Sequence, residues 1–218
     1  VPTTIAVLGG TGKEGSGLAY RWAHSGYEVI IGSRALEKAQ TAAAELNALL
    51  GREAVRGMLN PDAAAAAEIV VLTVPYAAHR ATLESVYEQA QGKVLVDVTV
   101  PLQPPQITVA VLPLGRTAAE EAQALMGENV QVVSAFQNIS SVHLKDLEHS
   151  IECDVLVCGD DTEAKQQVMA LAKAAGMRGI DAGPLSNAIV AECLTPVLLG
   201  INKRYKARGA GIVITGIE

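Results

Sequence analysis

The chain has 218 residues, half of them hydrophobic and 18% charged, with a formal net charge of −6. That length fits one sizeable core with room for a smaller second unit, and the acidic balance excludes general nucleic-acid binding, which needs a basic surface to neutralise phosphate. Aromatic residues make up only 3%, so short aliphatic runs must fill the core, as they do in buried parallel strands.

In chain order the elements alternate. Ile5–Leu8 reads as a buried strand, followed by glycines and a helix over residues 16–25 that Gly26 closes. Residues 27–31 form a second strand. Residues 34–50 carry a helical period, with Leu36, Ala39, Ala43, Leu46 and Leu50 on one side and Gly51 at the end. A weaker strand covers residues 54–58. Asn60 then reads as an N-cap, with Pro61 in the first turn ahead of a run of alanines. Residues 69–74 are the clearest strand, stopped by Pro75. A helix over 79–91, a strand over 94–100, a Pro-rich loop over 101–115, a helix over 118–126 and a strand over 130–135 follow. Beyond these the pattern predicts a strand at 154–158, a helix at 162–175 and a further helical region after Asn187. Strand–helix alternation at this spacing predicts an α/β fold, a Rossmann-type doubly wound parallel sheet with right-handed crossovers. Residues 1–137 are expected to form that domain. Residues 138–218 are expected to form a smaller C-terminal α/β domain that completes a substrate cleft.

No basic leader or long apolar stretch precedes the first strand, and the hydrophobic runs are four to eight residues long, short of a membrane span. Cys153, Cys158 and Cys193 form no C-x-x-C pair. An odd count of this kind fits a reducing compartment, so a cytoplasmic protein with no membrane partner is expected.

The sequence Ile5-Ala-Val-Leu-Gly-Gly-Thr-Gly-Lys-Glu-Gly15 contains G-x-G-x-x-G at Gly10, Gly12 and Gly15. It follows a strand and opens a helix, the context a dinucleotide site requires. Gly10 is read as the tight turn, Gly12 as the close approach to a pyrophosphate and Gly15 as helix–strand contact, with the helix N–H groups facing the anion. Binders of NAD carry an acidic residue at the end of the second strand for the ribose 2′-hydroxyl. Here Gly32-Ser33-Arg34 stands there, with Lys38 one turn on. A hydroxyl, a guanidinium and an ammonium suit a 2′-phosphate, and cations at a helix start are otherwise unfavourable. NADP(H) is therefore the expected cofactor, with Thr11 adding a hydroxyl. Residues Gly10, Thr11, Gly12, Lys13, Glu14, Gly15, Ser33, Arg34 and Lys38 form the expected dinucleotide contacts. Thr73, Val74, Pro75 and Tyr76, with Thr99 and Val100, end two strands at the carboxyl edge and are expected to line the nicotinamide. None of the five tyrosines has a Lys four residues later, which excludes the short-chain dehydrogenases.

Several of these stretches together resemble the NADPH-dependent coenzyme F-420 reductases. They are Val7-Leu-Gly-Gly-Thr-Gly12, Gly32-Ser-Arg34 with Lys38, Val71-Leu-Thr-Val-Pro75, Val132-Val-Ser-Ala135, Val157-Cys-Gly-Asp-Asp161, Asp181-Ala-Gly-Pro-Leu-Ser-Asn187 and Leu194-Thr-Pro196. The resemblance runs nearly end to end. It implies direct hydride transfer between nicotinamide C4 and deazaflavin C5 of F-420, with no dedicated acid–base triad, in a homodimer. It also implies a deazaflavin pocket at Gln137, Asn138, Ile139 and Ser141. Where that family carries a histidine this chain has Gln137, which hydrogen-bonds but does not titrate; an arginine of the family is likewise replaced within Ala188-Ile-Val190. Two other functions keep the NADP(H) site: reduction of another acceptor (a flavin, an imine or a metal complex), and a non-catalytic NADP(H) sensor.

Other clusters read more plainly. Lys203, Arg204, Lys206 and Arg208 suit a cationic helix end, and secondarily an anionic substrate tail. Asp160 and Asp161 suit a helix start rather than a metal, and no metal site is expected. His24, His79, His143 and His149 form no ligand pair and are expected at the surface or in loops.

Overall fold

The computed structural model describes residues 3–112 and 116–217. Its strands are β1 (Thr4–Leu8), β2 (Glu28–Ser33), β3 (Val55–Leu59), β4 (Ile69–Leu72), β5 (Val94–Asp97), β6 (Gln131–Ser134), β7 (Asp154–Gly159) and β8 (Arg178–Asp181). They make an eight-stranded sheet in the order β3-β2-β1-β4-β5-β6-β7-β8. The first six are parallel; β7 runs antiparallel to β6, and β8 parallel to β7. The sheet thus continues past β6 into the C-terminal half of the chain. The chain reverses its winding between β1 and β4, so a crevice opens at the carboxyl ends of those two strands.

The helices are α1 (Lys13–His24), α2 (Leu36–Leu50), α3 (Asn60–Ala66), α4 (Tyr76–Ser85), α5 (Tyr87–Ala90), α6 (Ala118–Met126), α7 (Thr162–Ala174) and α8 (Ala188–Tyr205). Strand alternation decides which face each residue serves. Ile5, Val7, Ile69 and Val71 pack with α1, α2 and α7; Ala6, Leu8, Val70 and Leu72 pack with α3 to α6. Every residue of β4 and β5 is buried, which explains the apolar runs over residues 69–72 and 94–96. Burying each such Ile or Leu side chain contributes roughly 1.5–3 kcal/mol.

Local chemistry sets the element ends. Gly26 and Gly51 close α1 and α2 with φ of 97° and 67°. Thr117 and Glu120 form a reciprocal capping box on α6, and Asp161 Oδ1 accepts the Ala164 N–H at 2.7 Å to start α7. Asn60 is not a cap: it is the first residue of α3, which follows Leu59. The helix expected over 79–91 begins earlier, at Tyr76, and breaks at Val86 into α4 and α5. The strand β8 and the 3-10 turn over Ser141–His143 have no counterpart in the sequence reading. Residues 101–112 contain no helix or strand, and residues 113–115 of the expected loop lie outside the described residues.

Two buried side chains of α1 tie it to the C-terminal half. The Arg21 guanidinium donates to the carbonyls of His143, Leu144, Asp146, His149 and Ala175 at 2.7–3.3 Å. Trp22 Nε1 donates to the Leu171 carbonyl at 2.9 Å, and its ring meets Phe136 edge-on at 5.7 Å.

One helix is more apolar on average than its short hydrophobic runs suggest. Residues 185–205 are long and apolar enough to cross a bilayer by length and composition, with a mean hydropathy of 1.4. The segment carries the buried Glu192 and holds Pro196 inside α8, and 39% of its most apolar stretch is buried within the protein.

Candidate functional site

At the reversal of the sheet, Gly10 N–H donates to the Val7 carbonyl and closes the turn after β1. The left-handed residue in that turn is Gly9, with φ of 75°, and not Gly10. Gly10 and Gly15 act instead through close packing. A Cβ on Gly10 would stand 2.7 Å from the Val7 carbonyl oxygen, and one on Gly15 would stand 2.4 Å from Thr73 Oγ1. Gly12 is different, because a Cβ there meets only the Gly9 oxygen at 3.5 Å. The approach to the start of α1 is therefore open. No side chain caps α1, so its first-turn N–H groups are available to an anion. These features fit the diphosphate of a dinucleotide.

A cleft of about 940 Å³ runs from this turn across the carboxyl edge of the sheet. At one end Thr11, Ser33, Arg34 and Lys38 share its wall with Asn60. Ser33 Oγ accepts the Ala35 N–H at 3.2 Å and holds the turn between β2 and α2. No carboxylate stands at the end of β2, so two cations and two hydroxyls gather at this end of the cleft, a set that suits a phosphate.

The middle of the cleft is walled by Thr73, Val74, Pro75, Thr99 and Val100. Its far wall is made by Gln137, Asn138, Ile139 and Ser141, together with Thr195, Leu198, Leu199 and Asn202 of α8. Two amides there are fixed in orientation. Gln137 Nε2 donates to the Asp97 carbonyl and to Ser134 Oγ, both at 2.8 Å, while Asn138 Nδ2 donates to the Asp154 carbonyl at 2.7 Å. Their oxygens Oε1 and Oδ1, and Thr99 Oγ1, are enclosed without a partner. The Gln137 carbonyl accepts from Thr195 Oγ1 at 2.6 Å, which joins α8 to this wall. Of the residues expected from sequence, Gly10, Lys13, Gly15 and Tyr76 stay off the cleft wall. Tyr76 turns away to donate its hydroxyl to Glu121 at 2.9 Å.

Behind the wall lies a buried polar pair. His79 Nε2 sits 2.6 Å from Asp97 Oδ2, and both side chains are almost wholly enclosed. The expectation of a surface or loop histidine fails here, because a carboxylate on β5 gives the imidazole a partner inside the core. Burial works against charge on His79, but the hydrogen bond and charge of Asp97 prevail and raise it above its ordinary value. Asp97 Oδ1 also accepts the Thr99 N–H at 2.9 Å and fixes the strand end that faces the cleft. Glu192 accepts the N–H groups of Ala118 and Ala119 at 2.8 and 3.1 Å, so α8 is fastened to the start of α6. Burial pushes Glu192 up to about 8 against the pull of those donors, and Asp97 and Glu120 add to the rise. Cys158 is buried and raised to about 11, mainly by burial. Among the described residues no group of three or more His, Cys, Asp and Glu side chains is placed to hold a metal.

The sequence reading missed Asn60 and the α8 residues. Thr195, Leu198, Leu199 and Asn202 follow the i, i+3, i+4, i+7 spacing of one helix face, a signal present in the sequence. Of the basic cluster near the C-terminus, only Arg208 reaches the cleft.

Residues 4–101 match the protein family described as NADP oxidoreductase, coenzyme F420-dependent. The chain is 43% identical to the F420-dependent NADP reductase of Methanothermobacter thermautotrophicus, over 98% of this chain and 95% of the relative. It is 40% identical to that of Methanocaldococcus jannaschii, over 98% and 99%. Among solved structures, a putative F420-dependent NADP-reductase from Arthrobacter sp. FB24 superposes with a TM-score of 0.83 at 29% identity, covering 98% of this chain and all of that one. With such identity maintained along nearly the whole of both chains, and a cleft that fits a 2′-phosphorylated dinucleotide at one end, this protein belongs to the F420-dependent NADP reductase family.

Proposed function

We propose that the protein transfers hydride reversibly between NADP(H) and the deazaflavin coenzyme F-420. The observation that carries this reading is a single cleft whose Ser33, Arg34 and Lys38 end suits a 2′-phosphate and whose other end is closed by Gln137 and α8. When bound, the two coenzymes supply the hydride donor and acceptor carbons, so the protein's task is to set their distance and facing. Thr11, Ser33, Arg34 and Lys38 hold the 2′-phosphate, and the turn from Gly10 to Gly15 with Lys13 and Glu14 receives the diphosphate. Thr73, Val74, Pro75, Thr99 and Val100 hold the nicotinamide. Gln137, Asn138, Ile139 and Ser141, with Thr195, hold the acceptor ring. The enclosed oxygens of Gln137 and Asn138 favour a ligand that offers N–H groups. Residues 1–137 then act as the NADP(H)-binding unit, and 138–218 complete the cleft.

The same observation supports a second acceptor class. Gln137 cannot titrate, so a flavin or an imine that needs no proton from this position is also served. The outer face of α8 exposes Ile189, Val190 and Val197, which supports pairing of two copies there. Free cysteines support a reducing, cytoplasmic setting.

The test mixes purified protein with NADPH and oxidised F-420 and follows loss of the deazaflavin visible absorbance. Bleaching that requires NADPH is the expected result. NADPH binding with no bleaching would refute F-420 as the acceptor, and turnover of a flavin or imine in its place would establish the second class.

A further inference from the structure

Glu14 is the second residue of α1, in the turn that would receive the dinucleotide's diphosphate. It is the only acid among the described residues that line the cleft. The charged groups on that wall are otherwise Arg34 and Lys38 beside the β2–α2 turn and Arg208 from the C-terminal segment. β1, the Thr73–Pro75 run and the Ile139–Val142 run contain no ionisable side chain; among the other elements packed on α1, β2 carries Glu28, α2 carries Glu37, Lys38 and Glu45, and α7 carries Glu163, Lys165 and Lys173, of which only Lys38 lines the cleft. Lys13, its neighbour in the chain, is exposed and stays off the cleft wall. The 3-10 turn that packs on α1 contributes His143.

Glu14 Oε1 is shut off from water and has no hydrogen-bond partner. A carboxylate with one oxygen enclosed and no donor is disfavoured, and taking up a proton relieves it. Burial accordingly pushes Glu14 up to about 8. NADPH would bring negative phosphates to this turn and remove what water remains. Both effects oppose a carboxylate and leave a neutral carboxyl free to donate its O–H to a phosphate oxygen.

We propose that Glu14 is a proton site coupled to the dinucleotide: NADPH binds the neutral carboxyl form, and above neutral pH its binding takes up a proton there. This rests on the assignment of NADP(H) to the cleft. The sign is fixed by linkage. A ligand that prefers the protonated form raises that group's pKa on binding, so its Kd rises as pH climbs past the value in the free protein. With a free value of about 8, uptake approaches about 0.8 proton at pH 8.5, and Kd weakens by up to about tenfold between pH 7 and 9. The 2′-phosphate gives the opposite signature in another range. Its second ionisation lies near pH 6, so binding it to cations releases protons below neutrality.

The experiment is isothermal titration calorimetry of the full chain with NADPH. It is run at pH 7 and 8.5 in paired buffers of different ionisation enthalpy. The wild type should take up more than half a proton at pH 8.5 and much less at pH 7. Glu14→Gln, similar in size and unable to ionise, should exchange no protons at pH 8.5 and show a Kd that stays flat from pH 7 to 9. Wild-type binding with no uptake at pH 8.5, or uptake that persists in Glu14→Gln, would overturn the proton site while leaving NADPH in the cleft. Failure of the wild type to bind NADPH at pH 7 would overturn the cleft assignment itself, and the proton site with it. The wild-type buffer comparison decides the matter even if the variant folds poorly.

Discussion

Replacing Arg21 by Met tests how the two halves of the chain are held together. The guanidinium donates to five carbonyls, and the bonds to Leu144 and Ala175 are buried. Methionine keeps much of the side-chain volume and removes every donor. The carbonyls of His143, Asp146 and His149 are partly open and can turn to water, whereas those of Leu144 and Ala175 cannot. Leaving a buried acceptor unsatisfied costs about 1–3 kcal/mol, so the two together predict a loss of about 2–6 kcal/mol. That is a large share of the roughly 5–15 kcal/mol that stabilises a typical domain. Urea titration should show a lower midpoint at an unchanged slope, the mark of lost stability without a change in exposed surface. The run from Ile139 to Val142, which walls the acceptor end, leads directly into the segment that Arg21 grips. The variant should therefore raise KM for the acceptor more than Kd for NADPH. A loss below about 1 kcal/mol, with acceptor KM unmoved, would refute the view that Arg21 organises this segment.

Three further outcomes are expected. Arg34→Ala should weaken NADPH by roughly ten- to a hundredfold, the value of a charged hydrogen bond, while changing NADH little in parallel titrations; equal losses for both would sink the 2′-phosphate assignment. Glu192 is raised from 4.5 to about 8 in the folded state, so the native protein holds a proton that the unfolded chain has lost between those values. Its contribution to stability is complete below about pH 4.5 and lost as pH rises through about 8, by at most about 5 kcal/mol, and Glu192→Gln should flatten that decline in denaturation midpoints measured across pH. Gln137→Ala should damage acceptor turnover and spare NADPH binding. Loss of NADPH affinity in that variant would place Gln137 at the nicotinamide instead.

The sheet and the dinucleotide turn were legible because their signals are local. A buried parallel strand needs an aliphatic run, and Ile69–Leu72 and residues 94–96 display one. The capped helices α6 and α7 likewise announce their own starts in Thr117, Glu120 and Asp161. Features set by tertiary partners were not legible. β8 is partly exposed and reads Arg-Gly-Ile-Asp, so only pairing with β7 makes it a strand. His79 gives no sign of burial until β5 places Asp97 beside it. Gly9 and Gly10 are chemically identical neighbours, and only the hydrogen bond from Gly10 to Val7 shows which of them takes the left-handed conformation. The α8 face fell between these cases. Its spacing is visible, but which side of an apolar helix meets a cleft depends on how Thr195 and Glu192 anchor it.

The pairing of β7 with β6 carries the sheet beneath the cleft into the C-terminal half of the chain. Enzymes whose walls belong to hinged bodies set the spacing of their ligands afresh each time they close. Here the β6–β7 ladder and the grips of Arg21 and Trp22 join the two halves through buried hydrogen bonds. A change of one methyl group deep under β6 or β7, far from any ligand, would alter the gap between donor and acceptor. It would show itself as a change in rate at nearly constant affinity, so the tolerance of the reaction is written into the core.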